Sequence, residues 1–160
     1  MIHRSCPKAA KPETARKMRS NRAGRTKPEV ALRSLLHRMG YRFRKDFLIS
    51  GEGFRTRADI AFPKSRIAIF VDGCFWHCCP QHGTIPKLNM EYWIPKLKQN
   101  VDRDFRATEA LRSAGWTVMR LWEHEAINEA VLRVVGALHG SEDGTSQGDG
   151  LRATDDQGFP

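Results

Sequence analysis

The sequence lacks any hydrophobic run near the ~18 apolar residues that a membrane-spanning helix requires. No secretory signal pattern opens the chain, so we expect a soluble, cytoplasmic protein that makes no membrane contact. With 160 residues, the chain is long enough for one domain with a sizeable core. Cysteines are few, and three of the four fall between positions 74 and 79, which favours metal ligands or free thiols over a disulfide framework.

Acidic residues are scarce at the start of the chain. Residues 1–45 hold fourteen Lys or Arg and two acids, whereas residues 46–140 hold twelve and eleven and residues 141–160 hold one and five. A basic arm of this kind suits a polyanion, because neutralised phosphates release counterions; the alternative is a solubilising disordered tail. We predict a partly disordered basic arm over residues 1–25, a folded domain over residues 26–140 and an acidic, disordered tail.

Hydrophobic periodicity predicts the element order α-β-β-β-α-β-α. A capping-box pattern at Thr26–Glu29 opens the first helix and Gly40 ends it. Further helices are predicted over 91–114 and 126–138, and strand-like segments over 41–43, 47–49, 56–62, 66–72 and 116–122. The long helix should bury one apolar face, and two tryptophans of the last strand should join the core: Leu97, Val101, Phe105, Leu111, Trp116 and Trp122. This order fits an α/β fold with a central mixed sheet flanked by helices.

Two aspartates lie on consecutive predicted strands. Asp59 stands among apolar residues in one strand, and Asp72 ends the next after a tight turn. In such a hairpin two carboxylates can meet at one edge and hold Mg²⁺, which can activate water against a phosphodiester. Alternatively, both are ordinary strand-end residues. Because burying an unpaired carboxylate is costly, Asp59 is the stronger candidate.

A cysteine- and histidine-rich loop follows Asp72. Cys74, Cys79 and His82 are separated by four and two residues, and His124 follows the last predicted strand. Such a set can satisfy a structural, tetrahedral Zn²⁺. Spacing alone cannot choose between Cys79 and its neighbour Cys78, and a cluster of buried free thiols is the alternative to a metal site.

Aromatic residues are interleaved with these ligands. Phe75 and Trp76 are adjacent in the loop, and Trp93 opens the long helix. Neighbours on an extended backbone point in opposite directions, but a loop fixed by metal could project both rings as a wedge between base steps. Spacing alone favours the alternative that Trp76 and Trp93 are core aromatics.

Together these motifs resemble the very-short-patch repair DNA endonucleases over roughly residues 15 to 140. The resemblance is carried, in unbroken order, by Met18–Asn21, Thr26–Glu29, Asp59, Phe70–His77, Cys79-Pro80, His82, Glu91–Trp93, Lys98–Asp104, Gly115-Trp116 and Trp122–His124. It implies a restriction-endonuclease-like fold and an endodeoxyribonuclease. Such an enzyme nicks double-stranded DNA 5′ of the thymine at T·G mismatches produced by deamination of 5-methylcytosine.

The resemblance also implies a role for individual residues. Asp59 and the carbonyl of Val71 match the Mg²⁺ ligands, His77 matches a catalytic histidine, and Glu29 matches a helix carboxylate near the metal waters. The remaining implied contacts comprise the DNA-binding residues Phe75, Trp76, Trp93, Met18 and Arg19, and the structural zinc ligands Cys74, Cys79, His82 and His124. A monomeric, nucleoid-associated bacterial protein linked to a cytosine-5 DNA methyltransferase would follow.

The chain departs from the best-known form of that family, which has Thr-His in place of Val71-Asp72 and a cysteine in place of His124. Val71 still offers its carbonyl. Asp72 cannot act as an imidazole, but its carboxylate could bind the metal or activate water, so either Asp72 or His77 is expected to deprotonate the attacking water. Two alternatives stay open: a nickase of restriction or defence without mismatch specificity, and a non-catalytic zinc-stabilised DNA-binding module.

Overall fold

The computed structural model describes residues 26–143, with side chains described through Ser141. The predicted basic arm, with Met18 and Arg19, therefore lies outside the described residues, as does most of the predicted tail. The elements are α1 (Lys27–Arg38), β1 (Arg44–Gly51), β2 (Phe54–Phe62), β3 (Ile67–Asp72), α2 (Met90–Ser113), β4 (Thr117–Trp122) and α3 (Ile127–Asp143). Their order is the predicted one. Between residues 26 and 143 no helix is both long and apolar enough to cross a membrane.

The four strands form one mixed sheet in the order β1-β2-β3-β4. β1 pairs antiparallel with β2, and β2 pairs antiparallel with β3. β3 and β4 run parallel, from the pair Ile67–Thr117 to the pair Asp72–Trp122. Parallel neighbours need a crossover connection, and α2 supplies it. The predicted mixed sheet flanked by helices is confirmed.

Helices cover both faces of the sheet. On one face α1 and α3 pack over the strands, and their shared core is Leu32, Leu36, Ile60, Phe62, Ile67, Ile69, Leu121, Val131, Val134 and Leu138. On the other face the last turns of α2 bring Leu111 onto a smaller cluster that contains Ile49, Ala58, Ala61 and Ala68. The sheet is therefore the middle layer, and its strand ends are held between the helices.

The predicted strand over residues 41–43 is wrong. Those residues precede β1, and the rings of Tyr41 and Phe43 contact the Phe62 ring edge-on at centroid distances of 6.5 and 6.0 Å. Aromatic residues at alternating positions satisfy a strand pattern equally well when they pack as a connection onto the core. At the other end of the domain, α3 runs to Asp143, into the segment predicted as tail.

The predicted apolar face of α2 is also partly wrong. Val101 and Phe105 are 39% and 67% exposed, whereas the polar residues Asn100 and Thr108 are buried with Leu97, Leu111 and Trp93. Hydrophobic periodicity does not reveal the buried face of α2, because two of its buried positions are polar. Trp116 and Trp122 are half-buried at the margins of the core rather than inside it.

Candidate active site and metal centre

The parallel pairing of β3 and β4 brings two distant segments together. The loop after Asp72 and the turn after Trp122 leave the same edge of the sheet, because the two residues are paired across the strands. The backbone N–H of Glu123 also donates to the carbonyl of Asp72 at 2.9 Å, which extends the pairing by one step. Cys74 and His124, 50 positions apart, therefore lie in contact.

The four residues proposed as zinc ligands converge at this edge. The Sγ atoms of Cys74 and Cys79 lie 3.0 and 3.7 Å from Nδ1 of His124, and one ligand atom from each of the four, His82 included, lies within 4.8 Å of the others. Tetrahedral zinc bonds of about 2.0–2.3 Å would put neighbouring ligands about 3.3–3.8 Å apart. The donor set and its spacing fit such an ion.

The structure also chooses between the adjacent cysteines. Cys79 is buried in the cluster, whereas Cys78 is exposed and holds a left-handed backbone with φ of 53°. Of the two neighbours, only Cys79 therefore belongs to the described cluster of four residues that could hold a metal ion. The spacing of residues in the sequence does not reveal that a single residue has a left-handed backbone conformation.

Backbone contacts make the metal loop compact. The N–H of Cys79 donates to the carbonyl of Cys74 at 2.9 Å, and the N–H of Gly83 donates to the carbonyl of Cys79 at 2.7 Å. A Cβ at Gly83 would lie 2.4 Å from that carbonyl oxygen, so only glycine fits there. Glu123 accepts a 2.7 Å hydrogen bond from the N–H of Cys74 and ties the loop to the end of β4.

The two thiols differ in acidity. Burial and the neighbouring Cys79 raise the pKa of Cys74 to about 11. Burial alone would raise the pKa of Cys79 too, but hydrogen bonds from the backbone N–H groups of His82 and Gln81 lower it. A thiolate, the form that binds metal, is therefore favoured first at Cys79.

Asp59 lies at an irregular point of the sheet. The β1–β2 pairing is interrupted between Lys45–Ile60 and Phe47–Ala58, where Asp46 stands opposite Asp59 with φ of 48°. The Oδ2 atom of Asp59 accepts a hydrogen bond from the backbone N–H of Val71 at 2.8 Å. Such irregularities occur next to active sites because they redirect a side chain. Here the carboxylate lines a cleft of about 580 Å³.

Glu29 lines the same cleft from the first turn of α1. Its carboxylate accepts a hydrogen bond from the N–H of Thr26 at 3.3 Å, as the capping-box pattern predicted. Burial and the charge of Asp59 raise the pKa of Glu29, and burial together with the charge of Asp72 raises the pKa of Asp59. A divalent cation would stabilise the ionised forms of both Glu29 and Asp59, so the electrostatics of the cleft favour such an ion.

The carboxylate of Asp72 forms an ion pair with an arginine side chain of β4. Its two carboxylate oxygens each accept a 2.6 Å hydrogen bond from the guanidinium of Arg120, and only 5% of the residue is exposed. Burial alone would lower the pKa of Arg120, but the hydrogen bonds and charge of Asp72 raise it. Asp72 therefore lies in the site as one half of an ion pair.

His77 is held by a different carboxylate, that of Asp104 on α2. Its Nδ1 is hydrogen-bonded to Oδ2 of Asp104 and lies 3.6 Å from Oδ1 of Asp72. Burial alone would raise the pKa of Asp104, but the contact with His77 and the charge of Arg120 lower it. An ionised carboxylate only accepts, so Nδ1 carries the proton and Nε2 is the basic nitrogen. His77 lines the cleft that holds Asp59.

Phe75, Trp76 and Trp93 form one aromatic cluster beside the cleft, with edge-to-face and tilted ring contacts. The Phe75 and Trp76 rings meet edge to face at 5.0 Å, and they lie 5.4 and 5.9 Å from the Trp93 ring. Trp93 is 6% exposed, whereas Phe75 and Trp76 are half-buried and Trp76 lines the cleft. Asn100 donates to the carbonyl of Trp76 at 3.2 Å. Trp93 is thus a buried support beneath the other two rings.

The structure brings Asp59, Glu29, Asp72 and His77 to one cleft, and it adds residues to which no role was given from sequence. These are Asp104, Arg120 and Glu123, together with the cleft arginines Arg55, Arg57 and Arg103. Arg120 carried a visible signal, since it is the one charged residue in the apolar strand Thr117–Trp122. Asp104 lies in the segment Lys98–Asp104 that carries the resemblance, but nothing in that segment marked it as a site residue, because charged residues are common on helices.

Comparisons with known proteins match the chain to DNA endonucleases and nicking enzymes. A family model described as DNA mismatch endonuclease Vsr matches residues 8–81. A Type II nicking enzyme, V.NaeI of Lentzea aerocolonigenes, is 51% identical over 131 residues, which cover 81% of this chain and 79% of that protein. V.XorIIP of Xanthomonas oryzae pv. oryzae, also named a Type II nicking enzyme, is 42% identical over 68% of this chain and 77% of its own. DNA mismatch endonuclease Vsr of Escherichia coli K12 is 34% identical over 68% of each chain.

Proposed function

Because this chain belongs to the Vsr family of DNA endonucleases, we propose that it nicks double-stranded DNA 5′ of the thymine at a thymine–guanine mismatch. Such mismatches arise by deamination of 5-methylcytosine. Family membership makes the chain an endodeoxyribonuclease, which sets aside the non-catalytic DNA-binding module. The observation that carries the proposal is the His77–Asp104 pair, which lies in the same cleft as the buried carboxylate of Asp59.

Asp59 and the carbonyl of Val71 would hold a magnesium ion in this cleft. When bound, Mg²⁺ supplies charge for the phosphate and lowers the pKa of water. The fit is supported by the raised pKa of Asp59 and of Glu29, since both carboxylates gain from a nearby cation. The hydrogen bond from the Val71 N–H fixes one oxygen of Asp59 and leaves the other for the ion.

His77 takes the proton of the attacking water in this proposal. Asp104 orients the imidazole through Nδ1 and stabilises the imidazolium that forms, while Nε2 serves as the base. Asp72 is the weaker candidate, because the Arg120 guanidinium holds both of its oxygens. Glu29 would order water near the ion from the first turn of α1.

The second metal is proposed to be a structural zinc ion held by Cys74, Cys79, His82 and His124. Two sulfur and two nitrogen donors in tetrahedral spacing are typical of such sites. The ion would fix the loop that carries Phe75, so the wedge and the catalytic histidine would share one rigid support.

Mismatch recognition is assigned to Phe75 and Trp76, which rest on the buried Trp93. Rings inserted between base steps cost a few kcal/mol in unstacking, and a mispaired step costs least to open. The aromatic cluster beside the cleft therefore distinguishes a mismatched duplex from a paired one by how easily a base step opens, without direct contacts to base edges.

The test compares nicking of a T·G-mismatched duplex with that of the fully paired duplex. We expect the wild-type protein to prefer the mismatch. The double variant Phe75→Ala/Trp76→Ala should lose that preference and nick the mismatched duplex about 10- to 100-fold more slowly, because stacking contributes about 1–3 kcal/mol per base. Single-turnover rates on both duplexes give the ratio directly.

Phe105→Ala is the matched control, since Phe105 is an exposed aromatic residue outside the aromatic cluster. This variant should leave the ratio of the nicking rates on mismatched and paired duplexes unchanged. Equal nicking of both duplexes by the wild-type protein would instead favour a nickase of restriction or defence without mismatch specificity. The names of the relatives, Type II nicking enzymes at up to 51% identity, are what make this second function worth separating.

The basic arm is proposed to clamp the duplex on the side opposite the wedge, through Met18, Arg19 and the lysines and arginines around them. Phosphate contacts of this kind make affinity depend steeply on salt. A monomer acting in the cytoplasm on nucleoid DNA, in functional association with a cytosine-5 DNA methyltransferase, completes the proposal. T·G mismatches would arise wherever such a methyltransferase acts.

A further inference from the structure

Arg120 lies between two carboxylates that both face His77. Its Nε and Nη2 atoms hold the two oxygens of Asp72 at 2.6 Å each, in the fork geometry that a guanidinium makes with a carboxylate. On the other side, Nη2 lies 3.4 Å from Oδ2 of Asp104. One side chain of β4 thus contacts the end of β3 and the middle of α2.

The position of the guanidinium is fixed from further directions. Nη1 donates to the carbonyl of Asp104 at 3.5 Å and to Oγ1 of Thr108 at 3.4 Å. The ring of Phe70 lies 5.2 Å from the guanidinium carbon, within the range of a cation–π contact. Because these contacts hold the guanidinium in one orientation, its own contacts also restrict the positions of the Asp72 and Asp104 carboxylates.

Both acids compete for the same nitrogen of His77. Nδ1 is hydrogen-bonded to Asp104 and lies 3.6 Å from Asp72. Without Arg120, Asp72 would be a buried and unpaired carboxylate next to an imidazole, and it would draw the ring from its present position. With Arg120 in place, both Asp72 oxygens accept hydrogen bonds from the guanidinium, and within the described part of the chain it is Asp104 that hydrogen-bonds to Nδ1.

We propose that Arg120 is a positioning residue for strand nicking. By occupying Asp72 and bracing Asp104, it keeps the His77 ring in the one orientation that presents Nε2 to the cleft. The inference rests on the proposed function, in which His77 takes the proton of the attacking water. Small displacements of a reacting group can cost about 10²-fold in rate.

The first test is the variant Arg120→Gln, assayed for nicking at a temperature where it is folded. We expect kcat to fall about 10²-fold with little change in KM. Arg112→Gln is the matched control, because Arg112 lines the neighbouring cavity from α2 and, among the residues that the structure describes, forms its ion pair with Glu109. Its kcat should equal that of the wild-type protein.

The decisive variant is the double substitution Asp72→Asn/Arg120→Gln, which removes the competing charge together with the cation. It should recover at least about tenfold of the lost kcat, since the charge of Asp72 no longer competes with Asp104 for Nδ1. A structural role or a direct phosphate contact of Arg120 predicts no recovery. A double variant as slow as Arg120→Gln, or a single variant that raises KM alone, would overturn the proposal.

Arg120→Lys keeps the test decisive if the glutamine variant does not fold. Lysine keeps the charge but cannot hold both oxygens of Asp72 and reach Asp104, so an intermediate kcat is expected and a wild-type kcat would contradict the inference. His77→Ala separates the two proposals. Retained nicking in that variant sinks the role of His77, whereas lost nicking together with a wild-type kcat for Arg120→Gln sinks that of Arg120 alone.

Discussion

Asp59→Asn is expected to slow nicking by at least about 10³-fold while leaving DNA binding intact. Asparagine keeps the size of the side chain and an oxygen that accepts the Val71 N–H, but it removes the negative charge that a hard divalent cation requires. A loss of this size corresponds to about 4 kcal/mol of transition-state stabilisation. Single-turnover nicking with Mg²⁺ measures the rate, and binding is measured without divalent cations.

Asp46→Asn is the control for this substitution. Asp46 stands opposite Asp59 on β1 and its charge contributes to the raised pKa of Asp59. Asparagine tolerates the left-handed backbone of that position. Nicking by this variant should stay close to the wild-type rate. Efficient nicking by Asp59→Asn would exclude Asp59 as the essential metal ligand.

The variant Asp59→Asn should also have a higher Tm than the wild-type protein in Mg²⁺-free buffer at neutral pH. Burial raises the pKa of Asp59 above its ordinary value of 3.8, so the folded state binds the proton more tightly than the unfolded state. The ionised form therefore costs stability, and that cost is present above the raised pKa and disappears below the ordinary one. The Tm advantage of asparagine should shrink as the pH is lowered to about 4. An advantage independent of pH would contradict this origin.

Loss of Cys79, a proposed zinc ligand, is expected to produce the largest change in stability. Structural zinc contributes about 10–16 kcal/mol of apparent binding energy in small domains, and even a part of it would exceed the margin of a typical domain. Cys79→Ala should release the ion and lower the Tm by about 10 °C or more. Metal analysis should find one zinc ion per chain in the wild-type protein.

Cys78→Ala is a control separated from the test position by one residue. Its thiol is exposed and lies outside the ligand cluster, so metal content should be unchanged and the stability should shift by no more than about 0.5 kcal/mol. Removal of the ion from the wild-type protein by a chelator should reproduce the Tm of Cys79→Ala. Protein that contains no metal and melts at the same temperature with and without chelator would refute the site.

Much of the candidate site follows from local sequence. Asp59 is identifiable because a carboxylate among apolar strand residues needs a reason to be buried, and its raised pKa shows that cost. The cluster of Cys74, Cys79, His82 and His124 is identifiable because cysteine and histidine at short spacing have few other uses. The role of Asp72 is different. As a strand-end carboxylate it suggested a metal ligand or base, and its ion pair with Arg120, 48 positions away, was invisible in the local pattern.

By itself, the sequence determined the element order, the concentration of cysteine and histidine in the loop after β3 and the acidic residue within β2, because periodicity and residue type are local properties. Tertiary structure decided the rest. The folded loop brought Cys79, and not the exposed Cys78, into contact with Cys74 and His124. The crossover through α2 set β4 beside β3, and this placement gave Asp72 to Arg120 and His77 to Asp104. Charges separated by 27 to 48 positions find their partners only after the strands are paired, since pairing alone fixes the distances on which their interaction depends.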